Sequence, residues 1–135
     1  MMEPDLPRIL VVDDEPFMRT TVKAMLRMVG RFFVQDAADG SQAMARVDEF
    51  HPHIIICDVS MTPMDGITFV RRLHEHPDLD RRSTAVIMLT SDSNETTILT
   101  AAKLQLAGYL VKPVSPKQLG GLVTAILRHL ELLPA

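Results

Sequence analysis

Five polar residues with chemical potential each follow an apolar run. Asp13 and Asp14 come after RILVV, Asp58 after IIIC, Thr90 after AVIML and Lys112 after GYLV. Asp58 poses the sharpest problem. Three isoleucines and a cysteine read as a strand buried on both faces, and a carboxylate costs several kcal/mol to bury charged and unpaired. Carboxylates gathered within roughly 4 Å repel by about 4 kcal/mol per pair at an effective dielectric near 20. Lys112 sets one positive charge against Asp13, Asp14 and Asp58, and a divalent cation would balance the remainder. Oxygen-only ligation favours a hard ion, Mg²⁺ first, which completes its shell with water and phosphate oxygens. A carboxylate is also a nucleophile toward phosphorus. Mg²⁺, Lys112 and the Thr90 hydroxyl are the groups that would stabilise the oxygens of a transferring phosphoryl group. These residue types, if they meet, point to phosphoryl transfer onto Asp58.

Whether they meet depends on the elements that carry them. RILVV (8–12), FFVQDA (32–37), IIIC (54–57), AVIML (85–89) and GYLV (108–111) read as strands. Between them lie helical patterns. Pro16 opens the first, which carries Met18, Val22, Met25 and Val29 on one side and a C-terminal cap at Gly30. Residues 40–50 form the second, with Ala43, Val47 and Phe50 inward, closed by His51-Pro52. Asp65 caps a third over 66–76, facing inward through Phe69, Val70 and Leu73 and ended by Pro77. A fourth spans about 94–106. The fifth opens on SPKQ (115–118), a capping box with proline at the first helical position, and buries Leu119, Leu122, Val123, Ile126, Leu127 and Leu130. Five strands alternating with five helices, with continuous apolar runs among the strands, predict an α/β parallel sheet covered on both faces, with sites outside the strands' carboxyl ends. Such a sheet would bring the polar strand ends to one rim.

The remaining composition is permissive. At 135 residues, with 47% hydrophobic and 23% charged residues, the chain suits one globular domain. We expect a single unit over 1–135 with its core at about 8–130. The net charge of −3 and scattered basic residues give no electrostatic footprint for nucleic acid. No apolar run is long enough for a membrane span, and MMEPDLPR has no basic and apolar regions of a secretion signal. The lone cysteine, Cys57, fits a reducing compartment, hence a cytoplasmic location, and reads as a small buried hydrophobe leaving its strand on the face opposite Asp58. The nine methionines read as core filler, and the five histidines suggest no metal site. Gly120-Gly121 inside the last helix costs roughly 1 kcal/mol per glycine.

The ordered set ILVVDDEP, IIICDVSMTPMDG, VIMLTS and GYLVKP resembles the receiver domain of two-component response regulators, stand-alone chemotaxis-type receivers above all. The resemblance covers about 8–130. It implies a flavodoxin-like, doubly wound sheet of order 2-1-3-4-5 with five helices. It makes Asp58 the phosphoacceptor, charged from a histidine kinase or phosphotransfer protein. Asp13, Asp14, Asp58 and the backbone carbonyl of Ser60 would hold Mg²⁺, with Asp14 the more direct of the first pair. Thr90 would be the switch hydroxyl, with Ser91 beside it at the phosphoryl group, Tyr109 the switch aromatic and Lys112 the phosphoryl-binding lysine. Lys112-Pro113 is a cis-peptide candidate. Output would pass through the face of the fourth helix, fifth strand and fifth helix to a downstream protein, and the resemblance admits a phosphorylation-dependent homodimer. Two departures stand out. Thr62 occupies the place of the family's usual proline, with Pro63 one residue later, and Gln105-Leu106 replace the Gly-Ala that usually ends the fourth helix. Ser60 and Asp92 flank the site at positions that tune phosphoryl lifetime in the family.

Alone, each residue has a plainer reading. Asp13-Asp14 could cap the first helix, Thr90 could be a strand-end threonine, Lys112 a surface lysine and Tyr109 core packing. Together they favour a phosphorylation-dependent signalling switch, which catalyses no more than its own phosphorylation and dephosphorylation. One competing reading is an aspartate-nucleophile phosphohydrolase of the haloacid-dehalogenase type, for which Asp13-Asp14-Glu15-Pro16 lacks the Asp-x-Asp signature. The other is a degenerate receiver serving as a scaffold, against which the complete acidic set and lysine argue.

Overall fold

In a computed structural model, residues 6–61, 64–91 and 95–132 are described here; the expectations for Thr62, Pro63 and Asp92 fall outside them. The apolar runs form strands β1 (Arg8–Val12), β2 (Phe33–Ala37), β3 (Ile54–Asp58), β4 (Ala85–Thr90) and β5 (Gly108–Val111). They pair in parallel in the order β2-β1-β3-β4-β5. Helices α1 (Pro16–Val29), α2 (Gly40–Phe50), α3 (Gly66–His74), α4 (Leu79–Arg82), α5 (Glu95–Ala102) and α6 (Pro116–His129) connect or follow them. This is the doubly wound flavodoxin-like arrangement, with six helices among the described residues where the sequence pattern predicts five.

Side-chain alternation splits the core into two layers. Leu10, Val12, Ile55, Cys57, Val86 and Met88 pack on one face with Ala43 and Val47 of α2 and Phe69, Val70 and Leu73 of α3. Ile9, Val11, Ile54, Ile56, Ile87 and Leu89 pack on the other with Val22 and Leu26 of α1 and Leu119, Val123 and Leu127 of α6. Cys57 is fully buried on the α2–α3 face. Burying an aliphatic side chain of this size is worth about 1.5–3 kcal/mol, so the central strands anchor the rim beyond them.

The differences from the sequence reading have local causes. Helix α4 is one turn, capped by the Asp78 carboxylate, which accepts from the Arg81 N–H at 3.1 Å. Four residues are too few to show a periodic apolar stripe. Helix α5 stops at Ala102, short of the expected 106. Lys103 N–H donates to the Thr100 carbonyl and Leu104 N–H to that of Ala101, then Gln105 takes a left-handed φ of 41° that breaks the helix. Thus Gln105 adopts backbone geometry that glycine accepts most readily. Leu130 lies at the C-cap of α6 and is 43% exposed, outside the buried stripe. The capping box of α6 is complete: Gln118 N–H donates to Ser115 Oγ at 3.1 Å, and Ser115 N–H to Gln118 Oε1 at 3.0 Å.

The glycine pair in α6 splits by environment. A Cβ on Gly120 would meet Val29 Cγ2 of α1 at 2.9 Å, whereas one on Gly121 would meet nothing within 4 Å. Gly121→Ala should therefore raise stability by about 0.5–1 kcal/mol through helix propensity alone. Gly120→Ala should give no such gain, because Val29 must move. Denaturant melts of the two variants beside the native protein check this.

Candidate phosphoryl-transfer site

Parallel pairing points every strand's carboxyl end toward one rim. The ladder continues past the strands: Asp13 N–H donates to Ala37 O (3.1 Å), Val59 N–H to Leu89 O (3.2 Å) and Lys112 N–H to Thr90 O (2.6 Å). Alternation then selects the side chains. Ile9, Val11 and Asp13, Ile54, Ile56 and Asp58, and Leu110 and Lys112 occupy equivalent parities, on the face packed by α1 and α6. Lys112 Nζ lies 3.2 Å from Asp13 Oδ2 and 3.5 Å from Asp58 Oδ1, reaching across β4 to two other strands.

Carboxylate oxygens of Asp13, Asp14 and Asp58 all lie within 4.8 Å of one another. Asp13 is 3% exposed and Asp58 8%, while Asp14 faces solvent. Asp13 has little freedom: its Oδ1 accepts from the Glu15 N–H at 2.9 Å while its Oδ2 accepts from Lys112. Asp14 is the open member of the acidic pair. Ser60 and Ser91 are exposed on the loops after β3 and β4. The Lys112-Pro113 peptide bond is cis.

Charge is unbalanced at this rim. Burial pushes the Asp58 carboxyl up, Lys112 opposes it and Asp13 adds to it, leaving a pKa of about 6. Burial draws the Lys112 ammonium down, but the fields of Asp58 and Asp13 outweigh it and its pKa is raised. One lysine does not neutralise its two carboxylate neighbours. The oxygen-only donor set and its negative surplus fit a hard divalent cation such as Mg²⁺.

Thr90 is buried at the same rim, 1% exposed. By alternation it leaves β4 on the Met88 face, opposite Leu89. Tyr109, paired in register with Met88, packs half-buried on that face. Tyr109 also lines a cavity of about 310 Å³ with Ala101, Ala102, Gln105, Leu106 and Gly108. The charged groups and the Thr90–Tyr109 pair therefore issue from opposite sides of the sheet.

Gly66 is a structural part of the site that motif reading overlooked. A Cβ there would lie 2.2 Å from the Asp58 carbonyl oxygen, so the start of α3 packs directly on the Asp58 backbone. Its N–H donates to the Val59 carbonyl at 2.9 Å, and Asp65 caps α3 by accepting from the Thr68 N–H at 2.7 Å. Gly40 N–H donates to the Met64 carbonyl, tying the same loop to α2. The visible signal was the Asp-Gly pair in PMDG.

A family model described as the response regulator receiver domain matches residues 9–124. The "Probable transcriptional regulator ycf27" of Cyanophora paradoxa is 35% identical over 130 residues, covering 96% of this chain and 52% of that protein. The "DNA-binding response regulator MtrA" of Mycolicibacterium smegmatis is 33% identical, covering 95% of this chain and 54% of that protein. The chain thus spans about half the length of these curated relatives. Among solved structures, chemotaxis protein CheY4 of Vibrio cholerae is 30% identical with a TM-score of 0.80, covering 90% of this chain and 99% of that one.

The raised Asp58 pKa gives a signed prediction for metal-free protein. An unfolded aspartate titrates at about 3.9, so the folded state binds more protons than the unfolded one between about pH 4 and 6. Asp58 therefore destabilises the fold increasingly across that window, and fully above it. Asp58→Asn should melt at a higher temperature than native protein at pH 7.5 in chelator, with the gain shrinking as pH falls below about 6. Paired thermal melts across pH read the difference.

Proposed function

The chain belongs to the response regulator receiver domain family, and from that premise we propose that it is a phosphorylation-dependent switch whose acceptor is Asp58. The family's role is signalling. An Asp58 carboxylate oxygen attacks the phosphorus of a phosphohistidine on a histidine kinase or phosphotransfer protein. The P–O bond forms as the P–N bond breaks, and its electron pair leaves on the donor imidazole. Asp13, Asp14, Asp58 and the Ser60 carbonyl would hold Mg²⁺, which when bound supplies positive charge to the phosphoryl oxygens. Lys112 stays beside Asp58 to neutralise a further oxygen, held there by Asp13. Thr90, with Ser91 beside it, donates a hydroxyl hydrogen bond to the phosphoryl group, and Tyr109 follows on the same face of the sheet. The observation that carries this reading is Lys112 Nζ between Asp13 and Asp58, at 3.2 and 3.5 Å.

We assign output to the α5–β5–α6 face, where Leu99 and Val111 are 57% and 42% exposed, and to a protein partner or second copy of the chain. The switch would reside in one receiver unit with its core at about 8–130. No helix among the described residues is long and apolar enough to cross a membrane, and we place the switch in the cytoplasm. The DNA-binding named for one relative belongs to a protein about twice as long as its matched stretch. We propose no nucleic-acid contact for the residues described.

Beryllofluoride, a phosphoryl mimic, should bind the native protein only with Mg²⁺ and should not bind Asp58→Asn. Acetyl phosphate with Mg²⁺ should add one phosphoryl mass to native protein and none to the variant. Lys112→Ala should slow that addition by about 100-fold, the usual size of one electrostatic contact in a transition state. Repeated turnover of small phosphate esters would instead support a phosphohydrolase, and absence of any added mass a scaffold.

A further inference from the structure

Arg19 lies outside the acidic cluster but grips its backbone. From the second turn of α1, Arg19 Nη1 donates to the Asp13 carbonyl oxygen at 2.7 Å. Its Nε lies 3.3 Å from Asp36 Oδ2 on β2, and Lys23 Nζ reaches the same oxygen at 2.8 Å. The Arg19 side chain is 19% exposed, so this fork is largely sheltered. Asp36 is aligned with Val11 in the β1–β2 register, two residues before Asp13. Arg19 thus joins α1, the end of β1 and the edge strand through one planar group.

The bonded carbonyl belongs to the peptide linking Asp13 to Asp14. Its orientation sets the direction in which the chain presents Asp14, the exposed member of the carboxylate set. The other polar groups of Asp13 are already held: its N–H by Ala37, and its carboxylate oxygens by the Glu15 N–H and Lys112. We infer that Arg19 is a positioning residue for the divalent-cation site, acting by fixing the Asp13–Asp14 peptide plane through a bond anchored on Asp36.

Electrostatics alone predicts the opposite outcome. Arg19 is a cation close to an acidic cluster, so its removal would strengthen binding of another cation. Positioning predicts weaker binding, because the Asp13–Asp14 peptide is released. Lys23 separates the two effects: it shares Asp36 with Arg19, whereas the hydrogen bond to the Asp13 carbonyl comes from Arg19.

The inference rests on the proposed Mg²⁺ site, and direct calorimetric titration with Mg²⁺ tests both. Native protein should bind Mg²⁺, and Asp13→Asn/Asp14→Asn should not. Arg19→Gln should bind about tenfold more weakly, the scale expected when a group supporting a metal ligand is removed. Lys23→Gln should bind as well as native protein or better. Arg19→Lys keeps the charge but not the two-pronged grip, and should also bind several-fold more weakly, which decides the matter should Arg19→Gln fail to fold. Metal-free melts identify folded variants. Native-like or tighter Mg²⁺ binding by a folded Arg19 variant would overturn the positioning role alone. Absence of binding by native protein would overturn the Mg²⁺ site and this inference with it.

Discussion

The reach of Lys112 across the sheet is the constraint on which the rim depends. A lysine after β5 has to meet carboxylates after β1 and β3 with β4 intervening, and its two contacts lie at 3.2 and 3.5 Å. That geometry is possible because all the strands are parallel and leave the core at one level. It also leaves the site short of positive charge. Both carboxylates raise the lysine's pKa, while burial and Asp13 keep Asp58 unusually willing to take a proton. A site in this condition favours any added cation, which is the electrostatic demand the proposed metal would meet.

The core and the rim impose opposite requirements on the same strands. Inside, Ile54, Ile55 and Ile56 have to be apolar on both faces, because helices cover both. One or two residues later the chain supplies Asp58, whose backbone carbonyl lies so close to Gly66 that no Cβ fits there. The tight packing of α3 on the Asp58 backbone restrains the loop while leaving the carboxylate at the rim. Stability from the buried strands thus supports a charge arrangement that would be unfavourable in an isolated peptide.

Much of this was legible in the chain itself because strand and helix periods differ. Continuous apolar runs ending in polar residues located β1, β3, β4 and β5, and SPKQ located the start of α6, whereas the edge strand β2, FVQDA, is only partly apolar. What escaped was tertiary or very short. Helix α4 has no room for a period, and α5 ends where Gln105 turns left-handed, a choice that glycine would have advertised. Gly66 reads as an ordinary turn residue until Asp58 is placed beside it. Arg19 reads as a helix-surface charge, since nothing in linear order ties it to Asp36 on β2. Gly120 reads as no more than a helix-weakening residue until Val29 of α1 is placed against it.

The two faces of the sheet also limit how a signal could pass. Asp13, Asp58 and Lys112 issue toward α1 and α6, whereas Thr90 and Tyr109 issue toward the other layer. The end of β4 joins these sides, since Leu89 and Thr90 are consecutive and point opposite ways. Under the proposed function, a phosphoryl group on Asp58 must favour one placement of Thr90 over another. Moving a two-state population from 1:99 to 99:1 takes about 5.5 kcal/mol of differential binding. A pair of unit charges about 4 Å apart in a surroundings of effective dielectric 20 interacts by about 4 kcal/mol. A doubly charged group arriving among Lys112, a metal and the Thr90 hydroxyl therefore brings interaction energies of the required size. The rim can do this with short side-chain movements because the strands behind it stay packed.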